Sequence, residues 1–508
     1  MWSGVPQRTQ ILAPVPALVP AAETEEAGLG RKVRSGARWS MVNTLVLRVA
    51  NFTVGVVLAR TVFGPQAWGL YAISQLVLSV VLSANEMGVS LAVVRWEGDI
   101  RGIARTALTL SLASSAALCA LLFFFAPSVA SFLGSPGATS LIRLLSLCVL
   151  IDGFVCVPFS LINREFMQGR RLVVEAAGFV VTTAVTLLLA FAHLGAISFA
   201  WGNVAGNVVT LIGATVAAPF IVLPGWDRRR ARELLKFGMP LAGASLLVLG
   251  TLNVDSAIVS ATLGPAALGF YQLAFNISSW PVQSISAAAR RVSFAGFSRL
   301  AGSRELLADG FTKAAAVLVA LAIPACVLLI TLSEPLIKTI YGARWTPAAE
   351  SLSLLGVLGL LRVFYELAYD GLAAADRRPT LLVVQGLWLV VLIPVLLAGA
   401  RTHGINGVSA GHVLVAVLVV GPAFLWSLRR IGITVGALLR RCLRPIIGGI
   451  LMAVVSLAII HFAGSGIVGL GAAAAAASLV YVPLILPMRH LIRQSPQEPA
   501  EVIAPQAA

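Results

Sequence analysis

"TVFGPQAWGLYAIS", Thr61 to Ser74, and "TLGPAALGFYQLA", Thr262 to Ala274, overlay at a fixed offset of 200 positions. Gly64, Pro65, Ala67, Gly69 and Tyr71 fall on Gly264, Pro265, Ala267, Gly269 and Tyr271, so five of the eight positions from Gly64 to Tyr71 repeat. A weaker echo sets "GAISFAWGNV" (Gly195–Val204) against "GINGVSAGHV" (Gly404–Val413) at an offset of 209. Gly-Pro forms turns, and glycine admits a close backbone approach. A turn that occurs twice implies that its flanking elements occur twice.

Those flanks are apolar. Hydrophobic residues make up 58 % of the 508-residue chain and charged residues only 11 %, against about 25 % charged in an average soluble domain. Mean hydropathy is +0.92. No soluble core hides that much apolar surface, because single cores stop growing near roughly 250–300 residues. The side chains must face lipid. A bilayer-crossing helix needs about 20 mostly apolar residues. Fourteen such runs are legible, near 36–61, 66–94, 104–127, 137–162, 171–192, 195–223, 235–262, 266–289, 311–333, 346–373, 379–400, 404–427, 439–463 and 466–488. The predicted class is an all-α integral membrane protein with fourteen transmembrane helices.

The net charge of +16 invites a nucleic-acid role, but its distribution opposes one. Basic residues come in short clusters such as "DRRRARELLK" (Asp227–Lys236) and "RRCLR" (Arg440–Arg444), separated by long apolar runs. With the N-terminus placed in the cytoplasm, alternating segments hold 30 of the 37 Lys and Arg inside and 4 outside. That split is the positive-inside pattern, and it predicts both termini in the cytoplasm. The clusters also attract anionic lipid of the inner leaflet, by about 1 kcal/mol per basic residue near the surface.

The repeated turn joins spans 1 and 2, then spans 7 and 8. Six spans separate the copies, an even number, so both run the same way across the membrane. Two parallel-repeat six-helix lobes follow, related by an axis along the membrane normal. The expected organisation is 36–225 for spans 1–6, 226–430 for spans 7–12 and 431–490 for two further helices. Proline-interrupted "ILAPVPALVPAAETEEAG" places 1–35 in a disordered cytoplasmic tail, and 491–508 reads alike. Extra residues of the second half are expected around Arg344.

The offset also aligns polar faces. On span 8, Gln272, Asn276, Ser279, Gln283 and Ser286 recur at helical steps, as do Ser79, Ser83, Glu86 and Ser90 on span 2. Span 1 carries Thr44, Arg48, Asn51 and Gly55 on one face, and span 7 sets Thr251 and Asp255 opposite Asn51 and Gly55. Small polar residues alone can simply hold helices together. A mid-bilayer charge is different, at a cost of about 2.5–3.5 kcal/mol on the lenient insertion scale. Arg48, Glu86 and Asp255 are therefore expected to face a watery cavity or a partner. Arg362, Glu366 and Asp370 share a stripe on span 10, where the first two sit four apart and can neutralise each other. Asp152 is a lone mid-span carboxylate, either protonated and buried or cavity-facing. The expected cavity set is Arg48, Asn51, Glu86, Asp255, Gln272, Asn276, Gln283 and Arg362, with Asp255, Glu86 and Asp152 as candidate ion-coupling carboxylates.

Five cysteines lie in or beside apolar runs without a CxxC, and five histidines are scattered without a ligand pattern. No metal, disulfide or cofactor is expected. No P-loop or HExxH occurs, nor an outer loop large enough for a catalytic domain. A polar cavity between two halves without an energy-coupling domain is the plan of a secondary transporter or flippase, not of an enzyme.

"LARTVFGPQAWGLYAI", "NEMGVSLAVVR" (Asn85–Arg95), "NREFMQGRR" (Asn163–Arg171), "LNVDSAIVSATLGPAALGFYQLA" (Leu252–Ala274) and "YGARWTPA" (Tyr341–Ala348) resemble, in order and place, the bacterial oligosaccharide and polysaccharide flippases. These are the Wzx-like transporters of the multidrug/oligosaccharidyl-lipid/polysaccharide exporter superfamily. The chain departs from the pattern at Ser256, where the family often carries a basic residue, and after Phe294, where proline is expected. The resemblance implies a two-lobed V that takes an undecaprenyl-pyrophosphate-linked oligosaccharide at the inner leaflet of the bacterial cytoplasmic membrane and releases it at the outer one. It implies H+ or Na+ as candidate coupling ions and polysaccharide polymerase machinery as a candidate partner. The polar stripe would serve sugars. Arg48 and then Arg362 would serve the pyrophosphate, since the guanidinium fork suits phosphate. A cation-coupled drug or small-molecule antiporter and a lipid II flippase of the same superfamily remain alternatives.

Overall fold

The computed structural model describes residues 49–86, 89–300, 302–464 and 466–488. The tail 1–35, Arg48, Thr44 and the C-terminal tail lie outside the described residues. Among the described residues every regular element is helical. In order they are α1 (Val49–Thr61), α2 (Pro65–Glu86), α3 (Val89–Arg95), α4 (Ile100–Phe132), α5 (Thr139–Arg164), α6 (Gln168–Phe191), α7 (Ile197–Ala217), α8 (Arg228–Leu300), α9 (Arg304–Thr331), α10 (Ser333–Ile340), α11 (Ala348–Ala374), α12 (Arg378–Val415), α13 (Gly421–Arg430), α14 (Val435–Ala463) and α15 (Ile467–Ile485).

Eleven helical segments among the described residues are long and apolar enough to cross a membrane. The sequence predicts fourteen. The difference falls at three places. Val49–Thr61 is described only as a short apolar helix, and Leu252–Ser286 and Pro379–Arg430 are each one helical run. Both runs contain a break: Gly264 has φ +81°, and His403–Gly404 leaves helical geometry likewise. Pro265 then begins the second arm of α8, at a position where a helix needs no N–H. Exposed Phe124, Phe132, Val216, Leu382 and Leu479 belong on a lipid-facing surface, where exposure carries no penalty.

The two halves meet at the end that carries the repeated turns. A Cβ on Gly69 would fall on the carbonyl oxygen of Pro265, and one on Gly269 would fall on that of Pro65. The contact is reciprocal, as a two-fold relation requires. The repeated glycine thus lets one half touch the other.

Trp345 seals the same end. It is fully buried (0 % exposed). Its Nε1–H donates to the Ala59 carbonyl at 2.9 Å, and its ring meets Trp68 and Phe270 edge-on at 6.0 Å each. Arg344 also donates to the Ala59 carbonyl, and Arg60 to that of Ile340 at 3.1 Å. Ser260 donates to the Leu133 carbonyl at 2.5 Å. The Arg344 segment, expected only as extra length, is an inter-half clamp. Trp345→Ala is expected to cost about 3–5 kcal/mol by cavity formation. The check is the thermal midpoint of the detergent-solubilised protein, with Trp345→Phe losing less.

At the opposite, arginine-rich end the halves are joined by chain. Leu234 of α8 packs among Val89, Val93, Ile103 and Ala104. Arg230 bridges Asp227 at 3.4 Å and Asp99 at 3.1 Å. The Gly102 N–H, chiefly, and Arg230 hold the exposed Asp99 carboxyl below the ordinary carboxylate range. This depressed value means that the link is present near neutral pH and weakens as the carboxylate protonates on acidification.

Candidate functional site

Nine residues beyond Asp255, about 13 Å of helix rise, lies the Gly264 break. Asp255 therefore sits at mid-core depth, and it is only 3 % exposed. The break folds the second arm of α8 back and delivers Tyr271 to the same depth. The Tyr271 hydroxyl donates to Asp255 Oδ2 at 2.7 Å. The Ser256 N–H reaches Oδ1 at 2.6 Å. His412, 8 % exposed on α12, brings Nε2 to 3.5 Å from Oδ2. That distance is long for a strong hydrogen bond.

A polar ladder runs outward from this group. The Ser256 hydroxyl donates to Gln272 Oε1 at 3.4 Å, and Gln272 Nε2 donates to Asn276 Oδ1 at 3.3 Å. Gln272 is half-buried and Asn276 exposed. Arg362 on α11 lies 5.8 Å from the ring centre of Phe275, a cation–π distance. The structure thus gathers Asp255, Gln272, Asn276 and Arg362 from the sequence-predicted set. Gln283 is exposed further along α8, and Asn51 is exposed on α1. Arg48 lies outside the described residues. Glu86 closes α2, but its side chain falls outside what is described.

Asp152 occupies a separate group in the first half. Asn85 donates to its Oδ2 at 2.9 Å, and the hydroxyls of Ser114 and Ser115 donate to Asn85 Oδ1 at 2.9 and 3.0 Å. The carboxylate expected to stand alone is held by its neighbours.

The first half also holds a counterpart of the Asp255 group. Gln75 donates to the Tyr71 hydroxyl at 2.5 Å, and Asn203 donates to it at 3.3 Å. Tyr71 stacks on Phe199 with centroids 4.1 Å apart. Tyr71 and Tyr271 are the repeated tyrosines. Asn203 and His412 are each the ninth residue of the weaker echo. Gly55 stands where the second half has Asp255. One constellation is therefore built twice, with uncharged partners in the first half and with a carboxylate and an imidazole in the second. Sequence inspection missed His412 and both tyrosines. Scattered histidines carry no motif, and an identical pair of tyrosines looks like packing. The available signal was the second offset, which pairs Asn203 with His412.

Solved structures share this architecture. The inward-closed lipid II flippase MurJ aligns with a TM-score of 0.71 at 15 % identity, covering 90 % of this chain and all of that one. An inward-facing multidrug-resistance MATE transporter aligns at 0.59 and 18 %, covering 75 % and 93 %. Among curated relatives, the lipopolysaccharide biosynthesis protein WzxC of Escherichia coli K12 is 25 % identical, covering 77 % of this chain and 80 % of its own. The teichuronic acid biosynthesis protein TuaB of Bacillus subtilis 168 is 22 % identical, covering 90 % and 95 %. The succinoglycan biosynthesis transport protein ExoT of Rhizobium meliloti is 23 % identical, covering 64 % and 66 %. The model of the polysaccharide biosynthesis protein family matches residues 57–350, more than half of the chain. Two matched membrane-embedded halves, joined at a repeated turn, are thus those of a multi-pass member of the polysaccharide biosynthesis protein family.

Proposed function

We propose that this protein moves an undecaprenyl-pyrophosphate-linked oligosaccharide from the inner to the outer leaflet of the bacterial cytoplasmic membrane, supplying surface polysaccharide synthesis. The family match over residues 57–350 carries this reading. In this reading the arginine-rich end faces the cytoplasm, in accord with the positive-inside distribution. The turn end, sealed by Trp345 and Gly69, then faces outward.

The polar ladder from Ser256 to Asn276 offers the amide and hydroxyl partners that sugars need. Arg362 and Arg48 offer cationic partners for pyrophosphate, Arg48 by its position on span 1 alone. Moving two negative charges outward under an inside-negative potential is downhill and gains about 2.3 kcal/mol per charge per 100 mV if each crosses the whole field. Of the three candidate coupling carboxylates, Asp255 is favoured, because it is buried against Tyr271 and His412 at the inner end of the polar ladder. Polysaccharide polymerase machinery would receive the product.

Deletion in the native host tests the reading. The expected result is loss of surface polysaccharide with accumulation of a lipid-linked oligosaccharide on the cytoplasmic side, reversed by the intact gene. Accumulation of lipid II instead would reassign the protein to peptidoglycan precursor export. Tight binding of lipophilic cations with no change in any sugar-lipid would reassign it to drug antiport. Arg48→Ala is expected to stop export while the protein stays in the membrane, and normal export in that variant would remove the anion role of Arg48.

A further inference from the structure

A cavity of about 730 Å³ opens at the arginine-rich end, away from the seam between the halves. Its walls are α9, the first turns of α14 and the turn before α14. Three arginines line it, Arg440, Arg441 and Arg444, against one carboxylate, Asp309. They share one face because their spacing matches a helical turn. Arg441 is committed to the wall. It donates to Asp309 Oδ1 at 2.6 Å, to the Asp309 carbonyl at 3.0 Å and to the Thr312 hydroxyl at 2.8 Å. Lys313 pairs with the other Asp309 oxygen at 2.9 Å. The aspartate is thus neutralised twice over. Among the described residues neither Arg440 nor Arg444 meets a carboxylate.

The depth is informative. Beyond Arg444, residues 445–463 of α14 contain no Asp, Glu, Lys or Arg. Their 19 residues span about 28 Å, close to the hydrocarbon thickness of a bilayer. Arg444 therefore stands at the headgroup boundary. Past the arginines, Ile447, Ile450 and Val454 are exposed, an apolar strip suited to acyl chains. A free anion would need only the arginines, whereas a phospholipid uses both features.

We propose that this cavity binds the phosphate headgroup of an anionic membrane lipid. Arg440 and Arg444 are its ligands, Arg441 is the braced wall, and the exposed strip of α14 receives the acyl chains. Arginine suits phosphate through its planar donor fork. The proposal rests on membrane insertion alone and holds whichever substrate the protein moves.

The test uses the full chain in nanodiscs of phosphatidylcholine with increasing phosphatidylglycerol, following the thermal midpoint. The wild type is expected to show a saturable rise. Arg440→Gln with Arg444→Gln is expected to weaken the apparent affinity about 30-fold, at roughly one decade per 1.4 kcal/mol and about 1 kcal/mol per arginine. Arg440→Lys with Arg444→Lys retains most of the effect, because the charge stays. Arg228→Gln with Arg232→Gln removes the same charge from exposed positions outside the cavity and leaves the rise intact. Three outcomes overturn the proposal: no rise in the wild type, an equal loss in both glutamine pairs, or reproduction of the rise by millimolar inorganic phosphate in pure phosphatidylcholine discs. If the double glutamine variant is unstable in pure phosphatidylcholine, Arg444→Gln alone decides, with an expected weakening of about fivefold.

Discussion

Asp255→Ala is expected to abolish export of surface polysaccharide while the protein still reaches the membrane. The carboxylate accepts from Tyr271 at 2.7 Å and faces His412 at 3.5 Å, in a pocket where it is 3 % exposed. Its removal leaves a buried hydroxyl and a buried imidazole without their shared acceptor. Leaving a buried polar group without its partner costs about 1–3 kcal/mol. Asp255→Asn separates the two possible uses of the group. Asparagine keeps the size and one acceptor oxygen, so it retains much of the stability. It removes the charge, so export is expected to fall more than tenfold even where thermal stability is recovered. Near-normal export in Asp255→Asn would show that the carboxylate only shapes the fold. His412→Asn copies the solution of the first half, where Asn203 sits by Tyr71. That variant is expected to fold normally and to be impaired in export, since packing is served and the second titratable group is lost.

Gly69→Leu is the second large effect. The added side chain meets backbone on the opposite half, the Pro265 carbonyl and the Gly269 amide, and neither is a flexible side chain that can swing aside. Overpacking of this kind costs about 1–3 kcal/mol and sometimes more. The cost falls only on the state in which the turn ends touch. The expected result is a shift of about 5- to 150-fold away from that closed state. It is read as increased labelling of a cysteine placed at Thr339, next to Arg60, with export reduced. Gly64→Ala is the internal control. It lies five residues away in the same motif, yet a Cβ there meets nothing within 4 Å. If Gly64→Ala and Gly69→Leu behave alike, the reciprocal contact is not what closes this end.

Much of the architecture was legible because a bilayer imposes long apolar helices, and these show in composition and hydropathy. The repeated turn was legible as a repeat for the same local reason: glycine and proline have fixed backbone roles. Its role was not. The residues suggested a turn between two helices, whereas the structure shows Gly69 and Gly269 facing each other across the halves. Arg344 and Trp345 looked like added loop length, because a loop sequence does not name the residue it will touch 285 positions away.

Site residues divide along the same line. Asp255 stood out because an acidic residue inside an apolar run is costly wherever it points. Gln272 and Asn276 stood out by helical spacing. His412 had no local signal at all, since one histidine in one apolar helix is unremarkable until α12 is laid beside α8. Asp152 looked solitary for the converse reason. Its partner Asn85 is 67 positions earlier, and only the packing of α2 against α5 brings them together.

By itself the sequence determined what short-range physics can write: a membrane-embedded all-helical chain, its doubling into two like halves and the clustering of its arginines between apolar runs. Tertiary structure alone decided which side chains share a space. It joined Asp255 to His412, Asn203 to Tyr71, and Trp345 to Ala59. The reason is that helix periodicity orders neighbours within a turn or two, whereas contacts between helices depend on how whole faces pack, and no single segment of the chain carries that information.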